Sequence, residues 1–180
     1  MIIVHWQKVA ERLAAEQDPV LRRNLETVLL HMKAEAAGEL ETLLSTLTED
    51  CAYRAHAQPD VPESNPVGKE QVRRLYEQMY GPESMTIAFE VGRVVADAET
   101  VVTEGKMRIA YPGSLLGAMG VEVDDPSASY LYETDTVVLW PMDENGLARG
   151  EESYSSAVAF GDVASRKVRP EDLAARAPVA

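Results

Sequence analysis

The sequence predicts a single α+β domain in which helices come first and long strands follow. Apolar residues recur at the 3.6-residue spacing of helices as far as about residue 79. From about residue 85 the spacing changes to two, which is typical of strands with one buried face. The chain has 180 residues, 46% of them apolar, which is enough to build the core of one domain.

Four helices are predicted, and capping residues indicate where they begin and end. Asp18 and Pro19 supply an N-cap and a proline at the first helical position, and Gly38 ends the helix that they begin. Gly68 begins the last of the four helices, and Gly81 ends it. The predicted helices cover residues 4–17, 19–37, 39–48 and 68–79.

Five strands are predicted, the first of them short. It is followed by an extended loop that contains Pro59, Pro62 and Pro66. The turn at residues 143–146 joins the last two strands, and the glycine-rich link at 112–128 is long enough to be a mobile flap. The predicted strands cover residues 51–57, 85–95, 99–111, 129–141 and 147–160.

Composition and charge disfavour several classes of partner. The formal net charge is −13, from 30 acidic and 17 basic residues, which disfavours nucleic acids and anionic membranes. No apolar run approaches the roughly 20 residues that span a membrane, and no signal peptide is recognisable, so we expect a cytoplasmic protein. The only cysteine, Cys51, excludes an internal disulfide and is expected in the core, and the three scattered histidines predict no metal site.

One arrangement of motifs spans residues 31–154. A helix leads through AAGELETLLSTLTEDCAYRAH into a strand, PVGKEQVRRLYEQMY supplies another helix, and YLYETDTVVLWPMDENGLARGEESYS supplies the last strands. This order resembles the NTF2-like superfamily, which includes the SnoaL-like cyclases, ketosteroid isomerase and limonene epoxide hydrolase. The resemblance implies a cone-shaped α+β fold, in which N-terminal helices pack in a strongly curved, mostly antiparallel sheet around one deep pocket. We expect the domain to cover residues 1–165, with a C-terminal tail at 166–180.

The resemblance also allows positions to be compared with known catalytic residues. His31 matches the helix position of the oxyanion tyrosine of ketosteroid isomerase, Ala55 that of its general base, and Asp135 lies near that of its second aspartate. Without the base, a ketosteroid-isomerase mechanism is disfavoured.

Limonene epoxide hydrolase gives a second comparison. Tyr53 matches a tyrosine that holds the attacking water in that enzyme. Gly105, Met107 and Ser153 replace its arginine and two aspartates, which disfavours epoxide hydrolysis and leaves a mostly apolar pocket.

Strand alternation selects the side chains that face this pocket. In strand 99–111, Lys106 and Arg108 alternate with Met107 and Ile109, so the second pair is predicted to face inward. In strand 129–141, the same reasoning assigns Asp135 and Val137 to the pocket.

The opposite face of that strand carries an aromatic stripe, made of Tyr130, Tyr132 and Trp140. Because large aromatic patches rarely stay exposed, the stripe is predicted to form the surface of a homodimer.

His31, Tyr53 and Asp135 are the predicted catalytic residues. His31 would be the general acid/base, since the ordinary histidine pKa of about 6.5 suits proton transfer near neutrality. Asp135 would orient His31 or donate a proton, and Tyr53 would polarise a substrate oxygen. Each also has a structural interpretation. His31 would be a buried, hydrogen-bonded histidine, Asp135 an ion-pair partner and Tyr53 an aromatic core residue. The predicted substrate-binding residues are Met32, Ala55, His56, Met107, Ile109, Val137, Glu151 and Ser153.

Two functions remain open from the sequence. The first is a cofactor-independent lyase or isomerase, acting by dehydration, cyclisation or proton transfer on a small, largely apolar molecule, for example an aromatic or polyketide-like one. The second is a non-catalytic small-molecule-binding protein or structural dimer, because one fold serves many functions. A module that binds a partner through the aromatic stripe is a third, weaker alternative.

Overall fold

The computed structural model describes residues 2–81, 85–156 and 162–175. Its helices are α1 (Gln7–Ala15), α2 (Pro19–Ala37), α3 (Leu40–Ser45), α4 (Lys69–Met79), α5 (Gly113–Ala118) and α6 (Pro170–Ala175). Its strands are β1 (Ile2–His5), β2 (Leu47–Ala55), β3 (Thr86–Ala96), β4 (Thr100–Pro112), β5 (Ser129–Pro141), β6 (Ala148–Ser155) and β7 (Lys167–Val168). The predicted helices and strands between residues 19 and 155 are found in the predicted order, but the structure adds α5 in the link predicted as a flap, and β2 begins at Leu47, inside the helix predicted for residues 39–48. The predicted extension of the last strand to residue 160 falls partly on 157–161, which lie outside the described residues.

The strands form one curved, unclosed sheet in the order β1-β3-β4-β5-β6-β2, and β7 pairs with β5. The central pairs are antiparallel, whereas β1 runs parallel to β3 and β2 runs parallel to β6. The described architecture is therefore the predicted α+β arrangement of helices packed in a mostly antiparallel curved sheet.

The N-terminus differs from the prediction. A helix was expected from residue 4, but Ile2 and Val4 are buried in β1, which pairs with β3. Branched side chains at alternate positions suit a strand. The helix α1 begins only at Gln7.

The long helix α2 has the ends that its sequence predicts. The Asp18 carboxylate accepts hydrogen bonds from the backbone N–H groups of Val20 and Leu21 at 2.8 and 3.2 Å. Gly38 then ends the helix in the left-handed conformation, with φ of 71°. These two caps fix which residues of α2 face the sheet.

A bulge bends the sheet at its centre. The register of β3 against β4 shifts between Val91 and Arg93, beside Gly105 of β4. A Cβ atom at position 105 would overlap the carbonyl oxygen of Glu90. Only glycine allows this close approach, and the bend gives the sheet a concave face toward the helices.

The main core lies between the helices and the concave face. Its fully buried members include Val9, Leu25, Val28, Leu43, Leu47, Cys51, Val72 and Val101. A second, smaller cluster contains Tyr111, Leu116, Tyr130 and Val163. Because α5 contributes Leu116 to this cluster, part of the link predicted as a mobile flap is packed against the body of the protein.

Two further expectations concern the termini and membranes. A short helix begins at Pro170, and Lys167–Val168 pairs with β5, so part of the predicted tail belongs to the sheet. None of the described helices is both long and apolar enough to cross a membrane.

Candidate functional site

A cavity of about 670 Å³ opens between the concave face of the sheet and helices α2 and α4. Most of its wall is apolar, aromatic or small and polar. The lining residues are Glu35, Tyr53, Ala55, Ala57, Gln58, Leu75, Tyr76, Met79, Ile87, Met107, Ile109, Tyr111, Tyr132, Thr134, Thr136, Val138, Glu151, Ser153 and Ser155. A cavity of this size accommodates a small organic molecule.

Two carboxyl groups and two of the four phenols in this wall come from four different elements. Glu35 comes from α2, Tyr53 from β2, Tyr76 from α4 and Glu151 from β6. The Tyr76 hydroxyl donates to Glu35 Oε1 at 3.4 Å. We name these four residues the carboxyl–phenol cluster.

Glu35 has an unusual protonation behaviour. Burial and, to a smaller extent, the negative charge of Glu151 raise the pKa of its carboxyl to about 8, and the hydrogen bond from Tyr76 acts in the opposite direction. The side chain keeps partial contact with solvent through the cavity, although protein atoms surround it. At neutral pH Glu35 therefore carries a proton that it can donate.

The phenols of the cluster keep their protons as well. Burial raises the pKa of Tyr53 and that of Tyr76 well above the ordinary value, and neighbouring carboxyl groups add to the effect, chiefly Glu151 for Tyr53 and Glu35 for Tyr76. Both phenols are thus hydrogen-bond donors throughout the physiological pH range.

His31 lies behind the cluster and does not line the cavity. Its side chain is 0% exposed, and its ring packs edge-on against Trp140 at 5.1 Å between ring centroids. Its Nδ1 atom lies 2.7 Å from the Thr46 hydroxyl.

The other ring nitrogen, Nε2, points toward the cluster. It lies 3.4 Å from the Tyr53 hydroxyl and 3.3 Å from Glu151 Oε1. The approach to Glu151 lacks hydrogen-bond geometry, and Oε1 is buried with no hydrogen-bond partner among the described residues. His31 was predicted to touch substrate, but the structure places it one layer further back.

Several predicted residues do line the cavity. The structure brings together Tyr53, Ala55, Met107, Ile109, Glu151 and Ser153. Met32 instead packs in the main core, where it is 1% exposed. The functional roles of these residues stay predictions, although their positions are now known.

The predicted position of Asp135 is wrong. Its side chain is 66% exposed and forms an ion pair with Lys106 at 2.7 Å on the convex face of the sheet. The register pairs Met107 with Thr134 and Lys106 with Asp135, so the inward face of β4 fixes the inward face of β5. Val137, which shares the face of Asp135, is absent from the cavity wall.

The same register overturns the aromatic stripe as a dimer surface. Tyr132 lines the cavity, Trp140 packs on His31, and Tyr130 is fully buried in the second cluster. These three rings pack against other residues of the same chain, because the cavity and the core lie on their side of β5. The homodimer itself stays a prediction.

His56 points away from the cavity. Its Nε2 atom lies 3.2 Å from Glu152 Oε2, and its ring stacks on Tyr154 at 4.0 Å. The alternation from Tyr53 predicts this outward direction, and the structure corrects the placement of His56 in the cavity, since it is absent from the cavity wall.

Sequence reasoning missed Glu35 and Tyr76 as site residues. Glu35 follows His31 by four positions on α2, a spacing that places both on one helix face. Tyr76 lies on the apolar face of α4, where its hydroxyl is the polar end of an otherwise buried ring. The helical spacing was a usable signal for Glu35.

The described residues show no group of three or more metal-binding side chains. Segment 113–128 contributes nothing to the cavity wall, so the flap over the pocket predicted there is not seen. The side chains of the carboxyl–phenol cluster are able to transfer protons and to form hydrogen bonds with a molecule in the cavity.

Comparison with known proteins identifies the family. The SnoaL-like domain family matches residues 28–125, more than half of the chain. The chain therefore belongs to the SnoaL-like domain family and has the NTF2-like fold. No curated protein is significantly similar to it in sequence.

Solved structures agree with this fold. A protein assigned as a SnoaL-like polyketide cyclase from Shewanella putrefaciens is 13% identical, with a TM-score of 0.63 over 88% of this chain and 94% of that one. A second such protein, from Jannaschia, is 18% identical, with a TM-score of 0.60 over 83% and 96%. An LEH-like epoxide hydrolase from M. tuberculosis is 15% identical, with a TM-score of 0.54 over 77% and 86%. At these identities the likeness concerns the fold alone.

Proposed function

We propose that the protein is a cofactor-independent acid–base enzyme of the lyase or isomerase type. Its substrate is a small, largely apolar molecule with a carbonyl group, for example an aromatic or polyketide-like compound. The observation that carries this proposal is the carboxyl–phenol cluster in the wall of a mostly apolar cavity.

The two carboxyl groups have complementary roles in this proposal. Glu151, as the carboxylate, removes a proton from the carbon beside the substrate carbonyl. Glu35 is protonated at neutral pH because burial and the charge of Glu151 raise its pKa, so it donates a proton to the product. Two acids held in different protonation states supply a base and an acid in one cavity.

The phenols stabilise the charge that develops between these steps. As the carbon loses its proton, negative charge accumulates on the carbonyl oxygen of the substrate. Tyr53 and Tyr76 line the same cavity and keep their hydroxyl protons, so either can donate a hydrogen bond to this oxygen. The cyclase activity for which the SnoaL-like polyketide cyclases are named is compatible with this chemistry, because cyclisation of polyketides forms carbon–carbon bonds beside carbonyl groups.

Hydrogen–deuterium exchange tests the proposal without knowledge of the final product. The protein is incubated in D₂O with a panel of cyclic ketones, β-dicarbonyl compounds and aromatic ketones, and carbon-bound deuterium is measured by NMR. Wild-type protein is expected to accelerate exchange for some members, and Glu151→Gln to slow it about 10²- to 10⁴-fold.

Asp135→Asn is the matched control, because that carboxylate lies on the convex face. It is expected to exchange at the wild-type rate. If panel members bind in the cavity but none exchanges faster than in buffer, the enzyme proposal fails, and the alternative of a non-catalytic small-molecule-binding protein takes its place.

A further inference from the structure

The hydrogen bonds behind the cavity determine where the proton of His31 lies. The Thr46 hydroxyl donates its only proton to the carbonyl oxygen of Leu43 at 2.6 Å. It can therefore only accept from His31 Nδ1, which lies 2.7 Å away. In the neutral ring Nδ1 carries the proton, and Nε2 presents a lone pair.

With this tautomer, no proton lies between His31 Nε2 and the carboxylate of Glu151. Nε2 and Glu151 Oε1 are then two acceptors that face each other at 3.3 Å. Two lone pairs cannot form a hydrogen bond, which explains why Oε1 is buried with no hydrogen-bond partner among the described residues. The Tyr53 hydroxyl has one proton to offer, and Nε2 is an acceptor 3.4 Å away from it.

We infer that Thr46 fixes the tautomer of His31 so that Nε2 receives the proton that Glu151 takes from the substrate. Thr46 and His31 are positioning residues in this arrangement, because neither lines the cavity. The inference rests on the proposed acid–base function for its catalytic meaning.

The transfer balances as a movement of one proton. The substrate C–H bond breaks, its electron pair stays on the substrate, and an O–H bond forms at Glu151. That O–H bond then breaks as N–H forms at His31 Nε2, which leaves an imidazolium beside a carboxylate. An ion pair with a hydrogen bond replaces the contact between two acceptors, and Glu151 is again a carboxylate.

The proton on Nε2 also redirects Tyr53. While Nε2 is an acceptor, the Tyr53 hydroxyl can donate to it and point away from the cavity. Once Nε2 is protonated, the hydroxyl must donate elsewhere, and the substrate oxygen that has just become negative is an acceptor that the cavity then offers. Proton removal and stabilisation of the resulting charge are thereby linked through one ring nitrogen.

The tautomer can be measured by ¹⁵N NMR of the imidazole in the free protein. In the wild-type spectrum at about pH 8.5, the proton of the ring is expected on Nδ1, and Nε2 is expected to be unprotonated. Thr46→Ser keeps the hydroxyl and is expected to give the same spectrum. Thr46→Val removes the acceptor and is expected to shift the population toward the Nε2–H form.

Thr48→Val is the matched control, since Thr48 is a buried threonine two residues along β2 and its hydroxyl has no hydrogen-bond partner among the described residues. It is expected to leave the His31 signals unchanged. A wild-type ring that carries its proton on Nε2, or an imidazolium at this pH, would overturn the inference, and so would an unchanged spectrum of folded Thr46→Val. If Thr46→Val does not fold, the wild-type and Thr46→Ser spectra still decide the tautomer.

Deuterium exchange connects the tautomer to catalysis. With an exchanging compound in hand, Thr46→Val is expected to slow exchange at least about tenfold, and Thr46→Ser to restore it. Wild-type rates in folded Thr46→Val would refute the catalytic part of the inference. Failure of the proposed enzyme function would instead appear as no exchange in the wild type, whatever the tautomer.

Discussion

On the convex face of the sheet, Asp135 and Glu133 lie beside Lys106 and Arg108, both at 2.7 Å. On the concave side, the cavity wall contains Glu35 and Glu151 but no lysine or arginine among its described residues. Exposed acids with a basic neighbour stay charged at little cost, whereas a buried acid beside another acid keeps its proton. Acidic side chains are thus held in ion pairs on the convex face, whereas Glu35 keeps its proton on the concave side.

The largest expected effect comes from breaking the bend that separates the two faces. Gly105→Ala is expected to destabilise the protein by about 2–4 kcal/mol, because the new Cβ would overlap the backbone carbonyl of Glu90. Urea unfolding followed by circular dichroism measures this change. Gly117→Ala is the control, since nothing lies within 4 Å of a Cβ built there, and it is expected to be neutral or slightly stabilising. Equal stabilities would show that the sheet bends without a glycine.

The pH dependence of stability sharpens the comparison between the inner and outer acids. The pKa of Glu35 rises from 4.5 to about 8 on folding, so between these values the folded protein binds more protons than the unfolded chain. The free energy of unfolding is therefore expected to fall as pH rises through this window, and this contribution levels off above about pH 8. Since the carboxyl partly faces the cavity, we expect a loss on the order of 2 kcal/mol.

Denaturant unfolding at several pH values tests this sign. Glu35→Gln is expected to lose less stability than the wild type between pH 4.5 and 8, because the amide does not ionise. Asp135→Asn, on the convex face, is expected to keep the wild-type slope. A Glu35→Gln slope equal to that of the wild type would contradict the raised pKa.

The smallest expected effect concerns the outer ion pairs. Lys106→Met is expected to change stability by less than about 1 kcal/mol, because its partner Asp135 is 66% exposed and water screens the pair. The change should shrink further in about 1 M salt. Thermal unfolding at low and high salt measures it, and a salt-independent loss above that size would show that the convex face is less solvated than described.

The fold was predictable wherever local patterns and global packing agree. The bounds predicted for the 129–141 strand are confirmed, and α2 ends at Gly38 as expected. The strand at Ile2–His5 was missed, because four residues carry too little periodicity to separate a strand from the first turn of a helix.

Only part of the site was predictable from the sequence, since each face of β5 carries both apolar and polar residues. Asp135 and Thr134 are adjacent in the chain, and the alternation of apolar residues does not say which of them faces inward. That choice depends on the pairing of Met107 with Thr134, which exists only once β4 and β5 have formed.

The sequence by itself determined the existence of α2, α3 and α4, the four long strands and the cavity-facing side of β4, because propensity, capping and alternation act over short distances. Only the tertiary structure decided which acids meet. Glu35 and Glu151 are 116 positions apart, and the pKa of Glu35 is raised by its burial and by the charge of Glu151, which no local pattern encodes. Likewise, the tautomer of His31 depends on how α2 packs against Thr46, at the C-cap of α3.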